Sequence, residues 1–429
     1  MSIARFVLLD DGTYMATRFE WGECTDKEVK LFSDYAGAPV TKIDEKTFYG
    51  NKYIEVLEIP DSIVEIGESA FADCPNLKRV VLPKNIEEIP TSAFSGCPKL
   101  TDVVIPNGVN YIGNYAFEGC ISLTTIELPE SIEDIGPYAF LDSGLSSINI
   151  PANVTCISSG VFENCCFSNI NIPDNIIVID DGAFSGCTLL TDVVIPESVE
   201  TMGKGIFQGC DKVTNLTIPS LESESDYEAD YSIGYLFGGG KIDEYQNVIP
   251  KSLKNITITK GTKVTDYAFY GCSNVTNIEF LNNITSIGKF SFGYCEQIEN
   301  MLPLNEVTSI ECGAFYYCAK LEKIELPECI ETIENHLFSN CTNLVQVTMP
   351  KYIAKIGIES FENCTKLEKI EILSTVTSIK ENAFKGCTNL TVYCEVKKPL
   401  FGYPKGYDKT CFEGVTKIVW NYAKQKAFH

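Results

Sequence analysis

Phenylalanine recurs along this chain at a nearly constant interval, and this regularity restricts the fold more than any other feature. Within each of two runs, successive members lie 22 or 23 residues apart. The runs are Phe48, Phe71, Phe94, Phe117, Phe140, Phe162, Phe184 and Phe207, and then Phe269, Phe292, Phe315, Phe338, Phe361 and Phe384. Self-similarity at a period of this size indicates a repeat array, in which each small unit packs only on its neighbours.

A second column lies three residues after each phenylalanine from Phe71 onward, and it holds cysteine at 12 of its 13 positions. The column consists of Cys74, Cys97, Cys120, Ser143, Cys165, Cys187, Cys210, Cys272, Cys295, Cys318, Cys341, Cys364 and Cys387. A free thiol is small and apolar enough to be buried. Parallel neighbours lie about 4.8 Å apart with parallel Cβ directions, whereas a disulfide needs facing Cβ atoms about 3.8 Å apart. We therefore expect twelve free, buried thiols. A disulfide between Cys394 and Cys411 near the C terminus is left as an alternative to two further free thiols.

One complete unit, residues 112–129, shows how a coil is built. Its Leu-x-x-Ile-x-Leu segment predicts a short strand with Ile126 and Leu128 pointing inward. Gly113 is expected to let the chain turn. The segment around Phe117 is long enough for only one helical or 3₁₀ turn. Because such a unit cannot close a core alone, stacked copies are expected to pair their strands into a parallel sheet.

The motif Ile-Gly-x-x-Ala-Phe-x-x-Cys-x-x-Leu-x-x-Ile-x-Ile-Pro resembles the BspA-like class of leucine-rich repeats. Residues 112–129 match it with Leu128 for the second Ile of the strand, and residues 66–83 match it with Val80 and Leu82. The resemblance implies an α/β, right-handed leucine-rich-repeat solenoid of about 23 residues per coil, with a parallel sheet on one face and short helical or 3₁₀ turns elsewhere. It also implies display on a microbial cell surface and binding to host or matrix proteins, without common catalytic residues.

The regular series leaves both chain ends and one central segment outside the repeat. Residues 1–39 are predicted to form a hairpin cap, with Asp11-Gly12 as its turn, and residues 394–429 a C-terminal cap. The arrays are expected to cover residues 40–218 and 256–393. Residues 219–255 form an interruption with one degenerate coil at 233–237.

Two long loops are expected in the interruption, an acidic one at residues 221–231 and a glycine-rich one at 238–249. We expect the interruption to split the sheet near its middle and to place Tyr227 and Tyr231 beside it. Loops on a regular scaffold often carry function, but a neutral insertion is an equal alternative.

The acidic charge and the scarcity of histidine restrict the function. The net charge is −24, which disfavours binding to nucleic acid and to anionic membranes. Only His336 and His429 are present, so we expect no enzyme, no metal site and no cofactor.

No apolar run approaches the roughly 18 residues of a membrane span. No signal peptide is evident at the start, so cytoplasmic, cell-surface and extracellular locations stay open.

These observations favour a non-catalytic protein-binding or adhesion module whose outward strand positions contact a protein ligand, with a host or extracellular-matrix protein implied by the resemblance. The predicted binding residues are Tyr227, Tyr231, Asp102, Glu127, Asn149, Asn171, Glu279, Lys323, Glu325, Lys369 and Glu371. Leucine-rich-repeat curvature usually makes this face concave.

Three alternatives remain open. The first is a structural protein that assembles end to end. The second is an enzyme with a site in the 219–255 loops, where the available carboxylates are Glu222, Glu224, Asp226, Glu228 and Asp230. The third places binding on a tyrosine cluster expected on the convex side, which consists of Tyr270, Tyr294, Tyr316 and Tyr317.

Overall fold

The computed structural model describes residues 4–17, 26–222, 232–300 and 303–422 of the 429-residue chain. The chain divides into two compact units, Met1–Val213 and Thr214–His429. In both units parallel strands recur about every 23 residues, as the registers Asp102↔Arg79 and Lys323↔Gln346 show. The structure therefore confirms the predicted leucine-rich-repeat solenoid.

Many coils of the first unit contribute a strand to the main sheet, and most contribute a second, two-residue strand. The main strands are Glu28–Lys30, Val56–Glu58, Arg79–Val81, Asp102–Val104 and Asp192–Val194. The second strands are Glu65–Ile66, Glu88–Ile89, Tyr111–Ile112, Asp134–Ile135, Cys156–Ile157, Val178–Ile179 and Thr201–Met202. Four more strands lie near the N terminus: Arg5–Leu8, Tyr14–Thr17, Asp34–Tyr35 and Ala38–Ile43.

The second unit repeats this arrangement. Its main strands are Asn215–Ile218, Asn255–Ile258, Asn277–Phe280, Lys323–Glu325, Gln346–Thr348, Lys369–Ile372, Thr391–Cys394 and Lys417–Trp420. Its second strands are Lys263–Val264, Ser286–Ile287, Ser309–Ile310, Thr332–Ile333, Lys355–Ile356 and Ser378–Ile379. The second strands were not predictable from the sequence in either unit, because two residues are too few to establish an alternating pattern.

An antiparallel hairpin precedes the first coils. Arg5–Leu8 pairs with Tyr14–Thr17, and Gly12 in the connecting turn has a φ of +83°. Tyr14–Thr17 also pairs in parallel with Ala38–Ile43, which in turn pairs with Glu65–Ile66. The hairpin thus extends the sheet of the second strands beyond the first coil.

The phenylalanine segments are hydrogen-bonded turns in which backbone N–H groups reach the next coil. Phe71 N donates to Ala93 O at 3.0 Å, and Phe117 N donates to Ala139 O at 2.7 Å. The residue two places before the phenylalanine is left-handed in many coils, as at Tyr115 with a φ of 56°. A left-handed residue interrupts helical backbone, so these turns do not extend into helices.

The phenylalanine rings form one continuous stack in each unit. From Phe48 to Phe207 neighbouring ring centroids lie 5.4–6.0 Å apart. From Phe269 to Phe412 they lie 5.2–5.7 Å apart. These spacings match offset-stacked aromatic pairs, so each ring forms part of the contact between adjacent coils.

The column cysteines are free and buried. Most of them donate a thiol hydrogen bond of 3.0–3.3 Å to the phenylalanine carbonyl of the preceding coil. These donors are Cys74, Cys97, Cys120, Cys165, Cys187, Cys210, Cys295, Cys318, Cys341, Cys364 and Cys387. Cys394 and Cys411 are also buried and free.

A glycine follows six of the thirteen second strands in the described residues, and adjacent coils approach closely at these glycines. A Cβ on Gly113 would lie 2.5 Å from Thr91 N, and a Cβ on Gly357 would lie 2.7 Å from Asn335 N. Neither glycine is in the left-handed conformation. Gly113 was predicted to let the chain turn, but its role is to allow close packing between coils.

The interruption does not split the sheet, so that prediction was wrong. Asn215–Ile218 pairs directly with Asn255–Ile258 over four residues in parallel register. Residues 219–254 are therefore inserted between two strands that are direct neighbours in the sheet.

Part of the segment predicted as a glycine-rich loop is helical. Within that segment a 3₁₀ helix at Ile242–Glu244 is followed by an α-helix at Tyr245–Val248. Another α-helix, Ile233–Leu236, lies in the predicted degenerate coil before it. Tyr245 is buried, and a Cβ on Gly234 or Gly239 would overlap its ring. These glycines therefore make room for an aromatic side chain.

Candidate functional site

The outward face of the main sheet in the second unit carries a regular pattern of charge. Lys323 is in register with Gln346, which is in register with Lys369. The inward residues between them are buried, whereas Lys323, Glu325 and Lys369 are exposed and Glu371 is half-buried. The alternation predicted from the sequence therefore describes this face correctly.

Two open depressions lie along this face. One, of about 520 Å³, is lined by Lys323, Glu325 and Glu328 together with Pro303 and Pro327. The other, of about 540 Å³, is lined among others by Gln346, Thr348, Lys369 and Glu371. Both combine charged side chains with apolar walls, which suits a surface that binds an extended partner.

Lys369 is held in place by three neighbours. Its Nζ lies 2.6 Å from Glu371 Oε1, 5.1 Å from the centre of the Tyr393 ring and 5.7 Å from that of Tyr422. The hydrogen bond to Glu371 raises the pKa of Lys369. Lys369 is therefore a positioned cation at the edge of an aromatic pair.

Tyr393 and Tyr422 are not among the binding residues predicted from the sequence. Their ring centroids lie 4.7 Å apart, and both side chains are half-buried. Tyr393 is an outward residue of Thr391–Cys394 and pairs in register with Glu371. Extending the alternation by one coil would have found Tyr393, but no local pattern indicates Tyr422.

The predicted residues of the first unit form a less regular surface. Asp102 lies on a main strand and forms a 2.8 Å ion pair with Arg79 Nε. Glu127, Asn149 and Asn171 are exposed, and they lie in coils whose outward residues are not in strands. In the second unit, Glu279 is exposed and lies in register with Thr257.

The two predicted loop tyrosines, Tyr227 and Tyr231, lie outside the described residues. The same is true of Glu224, Asp226, Glu228 and Asp230. Glu222, the remaining carboxylate of the enzyme alternative, accepts hydrogen bonds from Thr262 N at 2.6 Å and Lys263 N at 2.7 Å. Its carboxylate therefore stabilises a turn.

The predicted tyrosine cluster is a contiguous group of rings in the second unit. Tyr294 stacks on Tyr317 at 4.7 Å and packs edge-on against Tyr270 at 5.3 Å and Tyr316 at 5.5 Å. Burial raises the pKa of Tyr270 and of Tyr316 to about 12. Tyr294 and Tyr317 occupy left-handed positions that hold Gly, Asn or Asp in the other coils of the column.

Comparison with known proteins identifies a family and solved structures of the same fold. The model for the BspA type leucine rich repeat region matches residues 41–168, 155–229 and 249–391, well over half of the chain. No curated protein matches. In the described part of the chain, no helix is long and apolar enough to cross a bilayer.

Three bacterial leucine-rich repeat structures illustrate the similarity. A protein from Bacteroides ovatus is 24% identical over 91% of this chain and 98% of its own, with a TM-score of 0.67. A cell surface protein from Faecalibacterium prausnitzii is 23% identical over 99% of this chain and 94% of its own, with a TM-score of 0.39. A T. pallidum protein is 31% identical over 49% of this chain and 87% of its own, with a TM-score of 0.39.

Proposed function

Because this chain belongs to the BspA-type leucine-rich repeat family, we propose that it is a non-catalytic protein-binding module of the adhesion type, displayed at a cell surface. Leucine-rich repeat proteins generally mediate protein interactions, and repeat arrays bind partners across extended, rigid surfaces. The ligand in this proposal is a host or extracellular-matrix protein.

The observation that carries the proposal is the charged face of the main sheet in the second unit. Parallel strands hold outward side chains in columns about 4.8 Å apart. Lys323 and Glu325 are exposed there, and neither forms an ion pair within the described residues. Charges that are positioned but not neutralised favour a partner with complementary charge.

Lys369, Tyr393 and Tyr422 supply the anchor of this surface. Tyrosine offers large, rigid contact area, and such residues dominate interface energies. The Lys369 ammonium group is already held beside the two rings. Binding therefore immobilises few additional side chains and loses little side-chain entropy. Tyr227 and Tyr231 belong to the proposed interface as well, since residues 223–231 lie between the paired strands Asn215–Ile218 and Asn255–Ile258 in the chain.

The experiment starts from a pull-down with host or matrix extracts and then measures affinity for the captured protein. The face variant replaces Lys323, Glu325, Lys369 and Glu371 with alanine. The loop variant deletes residues 223–231, which spares the buried Leu221 and the capping carboxylate of Glu222. Both variants are expected to bind about tenfold or more weakly, as loss of several interface contacts predicts.

A matched control carries the same number of lysine and glutamate changes away from the face. It replaces Glu331, Lys355, Lys380 and Glu381, which are exposed and outside the main strands. The control is expected to bind like the parent. Unchanged affinity in both test variants, with folding intact, would place the interface elsewhere, and the tyrosine cluster around Tyr294 is then the next surface to test.

A further inference from the structure

Two large apolar side chains near the C terminus are almost completely exposed. Leu400 is 96% exposed and Phe401 is 91% exposed, whereas other exposed large apolar residues of the described chain reach at most 68%. Exposure of single apolar residues is common, but two adjacent ones at this level leave nearly their whole apolar area in water. A surface that covers them gains the hydrophobic free energy of both side chains.

The loop that carries these residues is anchored at its base and open at its tip. The Tyr403 ring packs edge-on against Phe412 at 5.5 Å, and Tyr407 OH donates to Val376 O at 3.1 Å. Gly402, next to the tip, has a φ of +63°, and a Cβ there would meet no atom within 4 Å. The tip therefore projects from a fixed base instead of folding back onto the unit.

The charge around this tip is opposite to that of the rest of the chain. Lys397, Lys398 and Lys405 flank the apolar pair on both sides and are exposed. The described residues 396–422 contain five lysines against two acidic residues, in a chain whose net charge is −24. This end can thus approach an anionic surface that repels the remainder.

We propose that residues 397–405 dock the protein on an anionic phospholipid bilayer, with Leu400 and Phe401 inserted at the boundary between headgroups and acyl chains. A tip that is apolar, with lysines on either side of it, matches the layered polarity of that boundary. Each lysine near an anionic surface adds to the attraction. One short apolar insertion with a basic rim gives reversible binding, because stable anchoring needs stronger signals.

Vesicle flotation tests this proposal with the full chain. The lipids are phosphatidylcholine alone and phosphatidylcholine mixed with phosphatidylglycerol, each at low and at high salt. The parent is expected to float with the anionic vesicles at low salt, to lose binding as salt rises, and to stay unbound with neutral vesicles.

Two variants separate the apolar and the electrostatic contributions. Leu400→Ser with Phe401→Ser, and Lys397→Gln with Lys398→Gln and Lys405→Gln, are each expected to lower partitioning about tenfold or more. The control, Ile121→Ser with Leu281→Ser, removes two apolar residues that are 63% and 59% exposed elsewhere. It is expected to partition like the parent, and thermal melts verify that each variant is folded.

Three results would overturn the proposal. The parent could fail to bind anionic vesicles at low salt, or the double serine variant could bind them as the parent does. Alternatively, the parent could self-associate without lipid while the double serine variant stays monomeric, which would make a second copy the occupant. None of these outcomes affects the protein-binding face, since the serine substitutions lie outside it.

Discussion

A column cysteine fills apolar space and also donates a hydrogen bond. Its sulfur is small and polarisable enough for a tightly packed interior, and its weak donor reaches the phenylalanine carbonyl of the preceding coil, as Cys341 does for Phe315 at 3.1 Å. Where serine replaces cysteine, Ser143 Oγ lies 3.3 Å from Cys165 Sγ. The column thus requires a small side chain with a donor, and cysteine meets that requirement with little polarity.

We predict that the column thiols do not react until the protein unfolds. Alkylation followed by mass spectrometry should modify Cys166 and Cys329, which are exposed, under native conditions. The column cysteines should react only in denaturant, because their sulfurs are buried. Recovery of most column cysteines as disulfides would contradict the stacked-coil arrangement.

Phe315→Ala should destabilise the protein by about 3 to 5 kcal/mol, the usual cost of emptying a buried aromatic site. Phe315 is 0% exposed and stacks on Phe292 at 5.7 Å and on Phe338 at 5.6 Å. Rings on both sides prevent the neighbouring coils from collapsing into the cavity. The free energy of unfolding, from denaturant melts, measures the effect.

Phe401→Ala is the matched control for this substitution, because the same side chain is removed from a site that is 91% exposed. Surface changes of this kind usually alter stability by less than about 0.5 kcal/mol. A loss below about 1 kcal/mol for Phe315→Ala would mean that the ring stack contributes little.

In six coils a glycine directly follows the second strand, and the strand and the glycine act together as one element. The strand brings adjacent backbones to hydrogen-bonding distance, and the glycine directly after it lies against the neighbouring backbone, as Gly113 does against Thr91. A side chain at Gly113 would force this pair of coils apart.

Gly113→Ala is therefore expected to cost about 1 to 3 kcal/mol, the range for overpacking. Gly108→Ala provides the control, because its Cβ would meet only carbonyl oxygens at 3.4 Å, which is ordinary contact. Thermal or denaturant melts of both variants distinguish the two sites. Equal stability of both variants would show that the coils can separate without cost.

The main columns could be predicted from the sequence, because Phe, Cys and Leu recur with a constant spacing and a constant chemistry. The second strands could not, since two residues have no periodicity. The role of Gly113 was also hidden, because a close approach between coils depends on residues 22 positions away. The direct pairing of Asn215–Ile218 with Asn255–Ile258 was not predictable either, because the whole insertion separates these two strands in the sequence.

The charged face of the main sheet in the second unit was predictable only in part. Alternation in Lys-Ile-Glu placed Lys323, Glu325 and Lys369 on the outward side correctly. The cation–π arrangement of Lys369 with Tyr422 was not predictable, because it joins residues from different coils through the C-terminal cap.

The stacked thiols give the molecule a common response to alkaline pH. Burial raises the pKa of Cys120 and of Cys341 from an ordinary value of 9.0 to about 12. Above about pH 9 the unfolded thiols lose their protons while the folded ones retain them. Stability is therefore complete below about pH 9 and falls as the pH rises towards 12, by about 1.4 kcal/mol per pH unit for each such thiol.

We predict that the midpoint of urea unfolding falls steeply between about pH 9 and about pH 12. Cys120→Ser and Cys341→Ser should each reduce the slope of stability against pH, since each removes one buried thiol from the linkage. Lysine and tyrosine also titrate in this range, so the comparison of slopes between parent and variants is the informative measurement. Identical slopes would contradict the assignment to the thiols.

The proposed partner must contact the charged face of the second unit, and lysine acetylation footprinting tests this most directly. The free protein and its complex with the captured partner are labelled in parallel, and each lysine is quantified by mass spectrometry. Binding is expected to protect Lys323 and Lys369, while Lys355 on a second strand and Lys99 in the first unit stay equally reactive. Unchanged labelling of Lys323 and Lys369 in a saturated complex, with protection at Lys355 or Lys99, would contradict the proposed interface.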